Sequence, residues 1–322
     1  AVAAAKRVRA WGRPVPPPPE EARVGWWRRH SRARDARAIQ HHYDVGNDFY
    51  RMVLGPTMTY SCARFPDAEA SLDEAQESKH ELICRKLGLD QQPGMRLLDV
   101  GCGWGTMAMH AARRHGARVV AVTISPAQAQ AARDRVAEAG LAERVDIRLQ
   151  DYRELEGETF DVISSIGMFE HVGRARTQEY FTRLRSVLAP GGRLLNHAIS
   201  KPGGARISGR SFVGRYVFPD GELLDVGETV GAMEAAGFEV RDVEALREHY
   251  ALTLRRWVAN LEEHWDEAVA LVGEARARVW RLYMAGSVIG FERGTMSIHQ
   301  VLGVLPGADG ASGMPLTRAG WG

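Results

Sequence analysis

Glu170 and His171 follow almost at once on FDVISSIG (residues 160–167), an apolar run that reads as a buried β-strand. A carboxylate at the end of such a strand is available for chemistry, yet its immediate neighbours, Met168 and Phe169, are apolar. A second stretch, LLDVGCGWG (Leu97 to Gly105), ends a strand at Asp99 and opens the next helix with Gly101, Gly103 and Gly105. Glycines at this spacing let the backbone turn tightly and approach a ligand closely, and open α/β sheets bind ligands beyond the carboxyl ends of their strands. The spacing is GxGxG, without the last glycine of the dinucleotide GxGxxG. The following strand ends not in the acid that would hold an NAD ribose but in Thr123 and Ser125, with Gln128 just beyond.

The elements that must position these residues alternate. MRLLDVG, RVVAVTIS, RVDIRLQD, FDVISSIG and GRLLNHAIS read as strands buried on both faces, and TMAMHAARRHGA, PAQAQAARDRVAEAG and RTQEYFTRLRSVLAPGG as the helices between them. GETVGAMEAAG and FEVRDVEAL continue the pattern, and GTMSIHQVLGVL adds an edge strand. Such alternation predicts a doubly wound, mostly parallel α/β sheet. The stretch from Arg247 to Phe291, with Trp257, Trp265 and Trp280, is predicted to be a helical insertion covering the site.

Among the 322 residues, 40 acids nearly balance 42 basic residues, but residues 1–40 alone carry ten Lys/Arg against three acids. With PVPPPPEEAR inside it, residues 1–24 read as a disordered basic arm, residues 25–305 as the folded domain and the Gly/Pro-rich residues 306–322 as a disordered tail. The arm, with Trp26 and Trp27 just after it, suits an anionic lipid surface or a nucleic acid, and equally a solvated segment. No apolar run reaches the ~20 residues that span a bilayer, and the expected location is cytoplasmic. Cys62, Cys84 and Cys102 form no CxxC pair and predict neither a disulfide framework nor a zinc site; Cys84 reads as core. His41 and His42, adjacent on a predicted helix, cannot both face one metal, so no metal is expected.

A strand acid followed by GxGxG is similar to the pattern of S-adenosylmethionine-dependent methyltransferases, with their Rossmann-like fold. Six further stretches carry a narrower resemblance: HHYDVGNDFYRMVLGPTMTYSCARF (41–65), VTISPAQ (122–128), SIGMFEHVG (165–173), LLNHAIS (194–200), FPDGELL (218–224) and HYALTLRRW (249–257). From about residue 38 to residue 305 the chain resembles the cyclopropane-fatty-acyl-phospholipid synthases and the mycolic acid cyclopropane synthases. The resemblance implies transfer of a methyl group from S-adenosylmethionine to a cis double bond of an acyl chain. A cyclopropane then forms when a bound bicarbonate removes a proton.

By motif, the implied bicarbonate pocket comprises Cys62, Glu170, His197, Ile199 and Tyr283, with Tyr43 nearby. The implied cofactor residues are Thr59, Tyr60 and Ser61 at the methionine end, and Asp99, Gly101 and Gly103 in the middle. Thr123 and Gln128 are implied at the ribose, and Tyr152 and Arg153 at the adenine, although DYRE departs from the family's frequent tryptophan there. His171 is expected to brace the loop. The implied partner is an unsaturated acyl phospholipid at the inner face of the membrane, with the protein peripherally attached. If the cation rearranges before losing its proton, the product is a methylene- or methyl-branched chain and the partner includes a reductase. Competing readings are an O- or N-methyltransferase with a polar pocket and a silent lipid- or cofactor-binding protein. Nucleic acid is discarded for want of a binding fold. The sequence leaves the oligomeric state open.

Overall fold

A computed structural model describes residues 18, 20–21, 45–208, 211–219 and 221–320. Tyr43, His41, His42, Trp26, Trp27 and nearly all of the basic arm lie outside the described residues.

Helix α1 (Asn47–Leu54) leads through a loop to α2 (Leu72–Leu87). α2 starts where Ser71 and Glu74 form a reciprocal capping box, and it stops at Gly88, which takes a left-handed conformation. There follow β1 (Arg96–Val100), α3 (Thr106–His115), β2 (Arg118–Thr123), α4 (Pro126–Glu138), β3 (Val145–Leu149), β4 (Phe160–Ile166), α5 (Thr177–Ser186) and β5 (Leu188–Ser200). A small ribbon, β6 (Ala205–Arg206) paired with β7 (Glu222–Leu223), brackets the short helix α6 (Phe212–Tyr216). The chain closes with α7 (Val226–Ala235), β8 (Glu239–Ala245), α8 (Arg247–Glu263), α9 (Trp265–Val272), α10 (Glu274–Glu292) and β9 (Ser297–Val304). The seven-stranded sheet runs β3-β2-β1-β4-β5-β9-β8. All its pairings are parallel except those of β9, which runs antiparallel to both β5 and β8.

The period-two pleat divides the sheet between two cores. Leu97, Val119, Ala121 and Val162 pack with α2, α3 and α4 on one face, while Leu98, Val120, Val122 and Ile163 pack with α5 and α7 on the other. A third cluster, holding Phe49, Tyr50, Trp257 and Trp280, joins α1 to α8 and α10. These helices lie between β8 and β9 in the chain, in the stretch whose sequence reads as a helical insertion.

The segment after residue 305, expected to be a disordered tail, makes some contacts with the fold. Arg193 Nη2 donates to Gly313 O at 2.9 Å, Met314 packs against the core, and Arg318 pairs with the buried Asp242.

Candidate active site

The loop after β1 makes the first half of the site. Gly101, Gly103 and Gly105 have φ of 77°, 55° and 80°, all in the left-handed region. At Gly101 space matters as well as φ, because a Cβ there would stand 2.9 Å from Cβ and Cγ of Met168. The apolar residue beside Glu170 therefore abuts the glycine loop, while Phe169 turns into the core against Tyr180 and Phe181. Gly101→Ala is expected to cost about 1–3 kcal/mol through strain and displacement of Met168. It should also weaken cofactor binding at least roughly tenfold, a free-energy loss of about 1.4 kcal/mol. Thermal melts and cofactor titration check this; unchanged binding would show that the loop does not touch the ligand.

The α1–α2 loop covers this cavity and is tied down at both ends. Arg135 of α4 donates to Trp104 O (2.7 Å), Thr106 Oγ1 (3.0 Å) and Thr57 O (3.0 Å). Gln76 Nε2 of α2 donates to Ser61 O at 2.9 Å, and Lys79 Nζ to Ser61 Oγ at 3.0 Å. The cavity beneath is lined by all ten residues that the sequence assigns to the cofactor: Thr59, Tyr60, Ser61, Asp99, Gly101, Gly103, Thr123, Gln128, Tyr152 and Arg153. Thr123 Oγ1 donates to Gln128 Oε1 (3.1 Å), and Ser125 caps α4, which fixes both side chains of the expected ribose subsite. Arg153 is held by Asp151, its Nη2 donating to Oδ2 at 2.6 Å, with its guanidinium 5.6 Å from the Tyr152 ring centre.

A second, mainly apolar cavity of about 440 Å³ adjoins the first, and Tyr60, Ser61, Gly167 and His171 line both. His171, assigned by sequence to bracing the loop, thus stands on the boundary itself. The five described residues of the expected bicarbonate pocket, Cys62, Glu170, His197, Ile199 and Tyr283, all line this second cavity, among Phe212, Val213, Phe218, Leu254 and Ile298. Tyr60 and Tyr283 hydroxyls meet at 3.4 Å, and Tyr60 lies in an aromatic wall with Tyr50, Trp257 and Trp280 at centroid distances of 5.3–6.1 Å. Phe218 meets Tyr283 edge-on at 5.7 Å. Such faces attract a developing cation.

The electrostatics are those of a dry site. Glu170 Oε1 accepts the Ile199 N–H at 2.7 Å, but its buried Oε2 has no partner among the described residues. Burial raises the carboxyl to about 7, against the partly offsetting hydrogen bond from Ile199. His197 is fully buried and kept neutral by the same cause. Gln300 Nε2, an amide donor, meets its Nδ1 at 3.2 Å, so the ring proton belongs on Nε2, which is buried without a partner among the described residues. Burial likewise holds the Tyr60 phenol and Cys62 thiol well above their ordinary values and Tyr283 at about 12. A carboxyl that can keep its proton near neutrality and an imidazole donor thus remain unspent in an apolar cavity, which fits a small oxyanion.

Sequence reasoning missed several residues. Lys79 and His80 line the cofactor cavity from α2 and Asp151 from the loop after β3, while Gln300 on β9 fixes the tautomer of His197. Lys79 is wholly buried, and burial brings its ammonium down to about 7. Gln76, Lys79 and Ile83 recur at helical spacing on the inward stripe of α2, so polar side chains interrupting an apolar face were the available signal.

The description that matches the chain as a family is mycolic acid cyclopropane synthetase, over residues 30–301. A Mycobacterium tuberculosis protein described as a probable fatty acid methyltransferase is 49% identical over 314 residues, covering 96% of this chain and 73% of its own. The tuberculostearic acid methyltransferase of the same organism is 36% identical, covering 90% and 69%. A crystal structure of mycolic acid cyclopropane synthase CmaA1 with SAH and CTAB superposes with a TM-score of 0.77 at 35% identity, covering 83% of this chain and 97% of that one.

Proposed function

We propose a specific methyl transfer for this chain, which belongs to the mycolic acid cyclopropane synthetase family and is an S-adenosylmethionine-dependent methyltransferase of fatty acyl lipids. The acceptor is the cis double bond of an unsaturated acyl chain carried by a phospholipid, and the product is a cyclopropane. The single observation that carries this reading is the pair of unspent buried atoms, Glu170 Oε2 and His197 Nε2, in an apolar cavity that shares a wall with the cofactor cavity.

When bound, S-adenosylmethionine supplies an electrophilic methyl group and bicarbonate a general base. An alkene has no proton whose removal would make it a better nucleophile, so this chain's residues work by alignment, exclusion of water and charge stabilisation. Thr59, Tyr60, Ser61, Asp99, Gly101, Gly103, Thr123 and Gln128 would hold the cofactor, with Tyr152 and Arg153 at the adenine. Held so, the cofactor would supply its methyl to one alkene carbon and leave as the neutral sulfide, with positive charge on the other carbon. Tyr60, Tyr283 and Phe218 face that charge with neutral rings. Loss of a proton from the new methyl closes the ring. Glu170, His197, Cys62, Tyr283 and the Ile199 backbone would hold the bicarbonate. A Glu170 carboxyl that keeps its proton near neutrality can donate to an anion instead of repelling it.

A second reading has its own support in the relatives described as fatty acid and tuberculostearic acid methyltransferases. The same first step is followed by hydride shift, giving a methylene- or methyl-branched chain with a partner reductase. The phospholipid is favoured over a carrier-bound substrate by the excess of basic residues before position 40, which suits attachment to an anionic membrane surface. The test is incubation with labelled S-adenosylmethionine and cis-monounsaturated phospholipid, followed by mass spectrometry and proton NMR of the released acids. One added CH2 with upfield ring protons supports the cyclopropane. The same mass with terminal-methylene signals selects the branched route, and an absence of labelled lipid removes the phospholipid assignment.

A further inference from the structure

Away from both cavities, α2 and α3 bring together a group of side chains that the methyl transfer does not use. Cys84 Sγ and one ring nitrogen each of His110 and His115 all lie within 4.8 Å of one another. Glu81, one turn before Cys84 on α2, places Oε2 3.3 Å from His110 Nε2 and 3.0 Å from His115 Nε2. Its other oxygen, Oε1, accepts from Arg85 Nε at 3.0 Å, which leaves Oε2 directed to the histidine pair. Cys84 is wholly buried, and the side chains of His110 and His115 are 10% and 9% exposed, so the group is closed to bulk water yet reachable from it.

We infer that Cys84, His110, His115 and Glu81 hold a zinc-class divalent cation that staples α2 to α3. A thiolate is a soft donor and two imidazoles are borderline ones, and together with one carboxylate they select zinc over magnesium or calcium. Tetrahedral zinc with bonds of about 2.0–2.3 Å holds its ligand atoms roughly 3.5 Å apart, so Cys84, His110 and His115 must draw in from their present limit of 4.8 Å, and Glu81, which already meets both histidines, completes the set from their side. Binding replaces the thiol proton of Cys84 by the metal and releases that proton to solvent. A plain ion pair between Glu81 and a protonated histidine would give Cys84 no role, whereas a metal centre employs all four groups. Arg85 then orients the carboxylate ligand from outside.

The staple has a consequence for the site. α2 also carries Lys79 and His80 to the cofactor cavity, and α3 starts from the glycine loop. With all four positions taken by protein, the ion is structural.

The test uses the whole chain, untagged and stripped with a chelator, then loaded with zinc chloride and desalted before metal analysis. One tightly held zinc per chain and a raised melting temperature are expected. Cobalt in its place should give a thiolate-to-metal charge-transfer band and the strong visible absorption of a tetrahedral site. Cys84→Ser should lose the charge-transfer band and weaken zinc at least roughly tenfold. His115→Ala should do the same to affinity, which separates this site from His41 and His42. Should either variant fold poorly by circular dichroism, Glu81→Gln, at a partly exposed position, is expected to weaken zinc without loss of fold. Less than stoichiometric zinc in the loaded wild type would overturn the proposal, as would uptake indifferent to Cys84 and His115.

Discussion

Glu170→Gln loses methyl transfer by roughly 10²–10⁴-fold while cofactor affinity stays within about threefold of wild type. The reason is position. Glu170 lines the apolar cavity and not the cofactor cavity, and its carboxyl is held by backbone N–H groups, that of Ile199 at 2.7 Å. Glutamine can still accept that bond through its carbonyl, so the loop should keep its shape, but it cannot carry or share a proton at Oε2. An equal loss of activity and cofactor binding would show that the residue is structural.

The same substitution has a signature in stability. Burial raises the Glu170 carboxyl from 4.5 to about 7. Between those values the folded state binds more protons at this group than the unfolded state, so stability falls as pH rises. At about 1.4 kcal/mol per pH unit, the loss amounts to about 3 kcal/mol by pH 8. Glutamine does not titrate. The gap between variant and wild type in unfolding free energy should therefore move in the variant's favour by about 3 kcal/mol from pH 4.5 to pH 8. Other titrating groups shift both proteins together. A gap that does not change with pH would mean that the carboxylate is solvated and the site is not dry.

The sheet was legible because its strands are short apolar runs alternating with helical patterns, two of which are followed by glycines that take positive φ, Gly116 and Gly140. The cofactor loop was legible because three glycines at fixed spacing have few uses after a buried strand. What could not be read are pairings made by the fold alone. Gln300 lies 103 residues from His197 in the chain, yet antiparallel pairing of β5 with β9 sets the two opposite each other. The approach of Cys84 to His110 and His115 likewise depends on how two helices pack, and no ligand spacing announces it. Composition reports average solvation, so a single guanidinium contact such as Arg193 to Gly313, in the segment expected to be a tail, does not show in it.

Gly286→Leu should leave a protein that is more stable and much less active on long acyl chains. Gly286 lies inside α10 and lines the apolar cavity, and a Cβ built there meets nothing within 4 Å. Glycine in a helix interior costs up to about 1 kcal/mol relative to good helix formers, so its replacement should stabilise by about 0.5–1 kcal/mol. For a domain of this size that is about 1–4 °C in melting temperature. The leucine side chain would occupy the space that an acyl chain needs, on the same helix as Tyr283 and one turn from Leu282, which is 59% exposed at the rim. A roughly tenfold or greater loss of kcat/KM for the longest chains, smaller for short ones, would correspond to about 1.4 kcal/mol of lost transition-state binding. Gly286→Ala separates the two effects, since it gains the helix term and fills little of the cavity. If the leucine variant processes long chains as well as wild type does, this cavity does not hold the acyl chain and the substrate reaches Glu170 by another path.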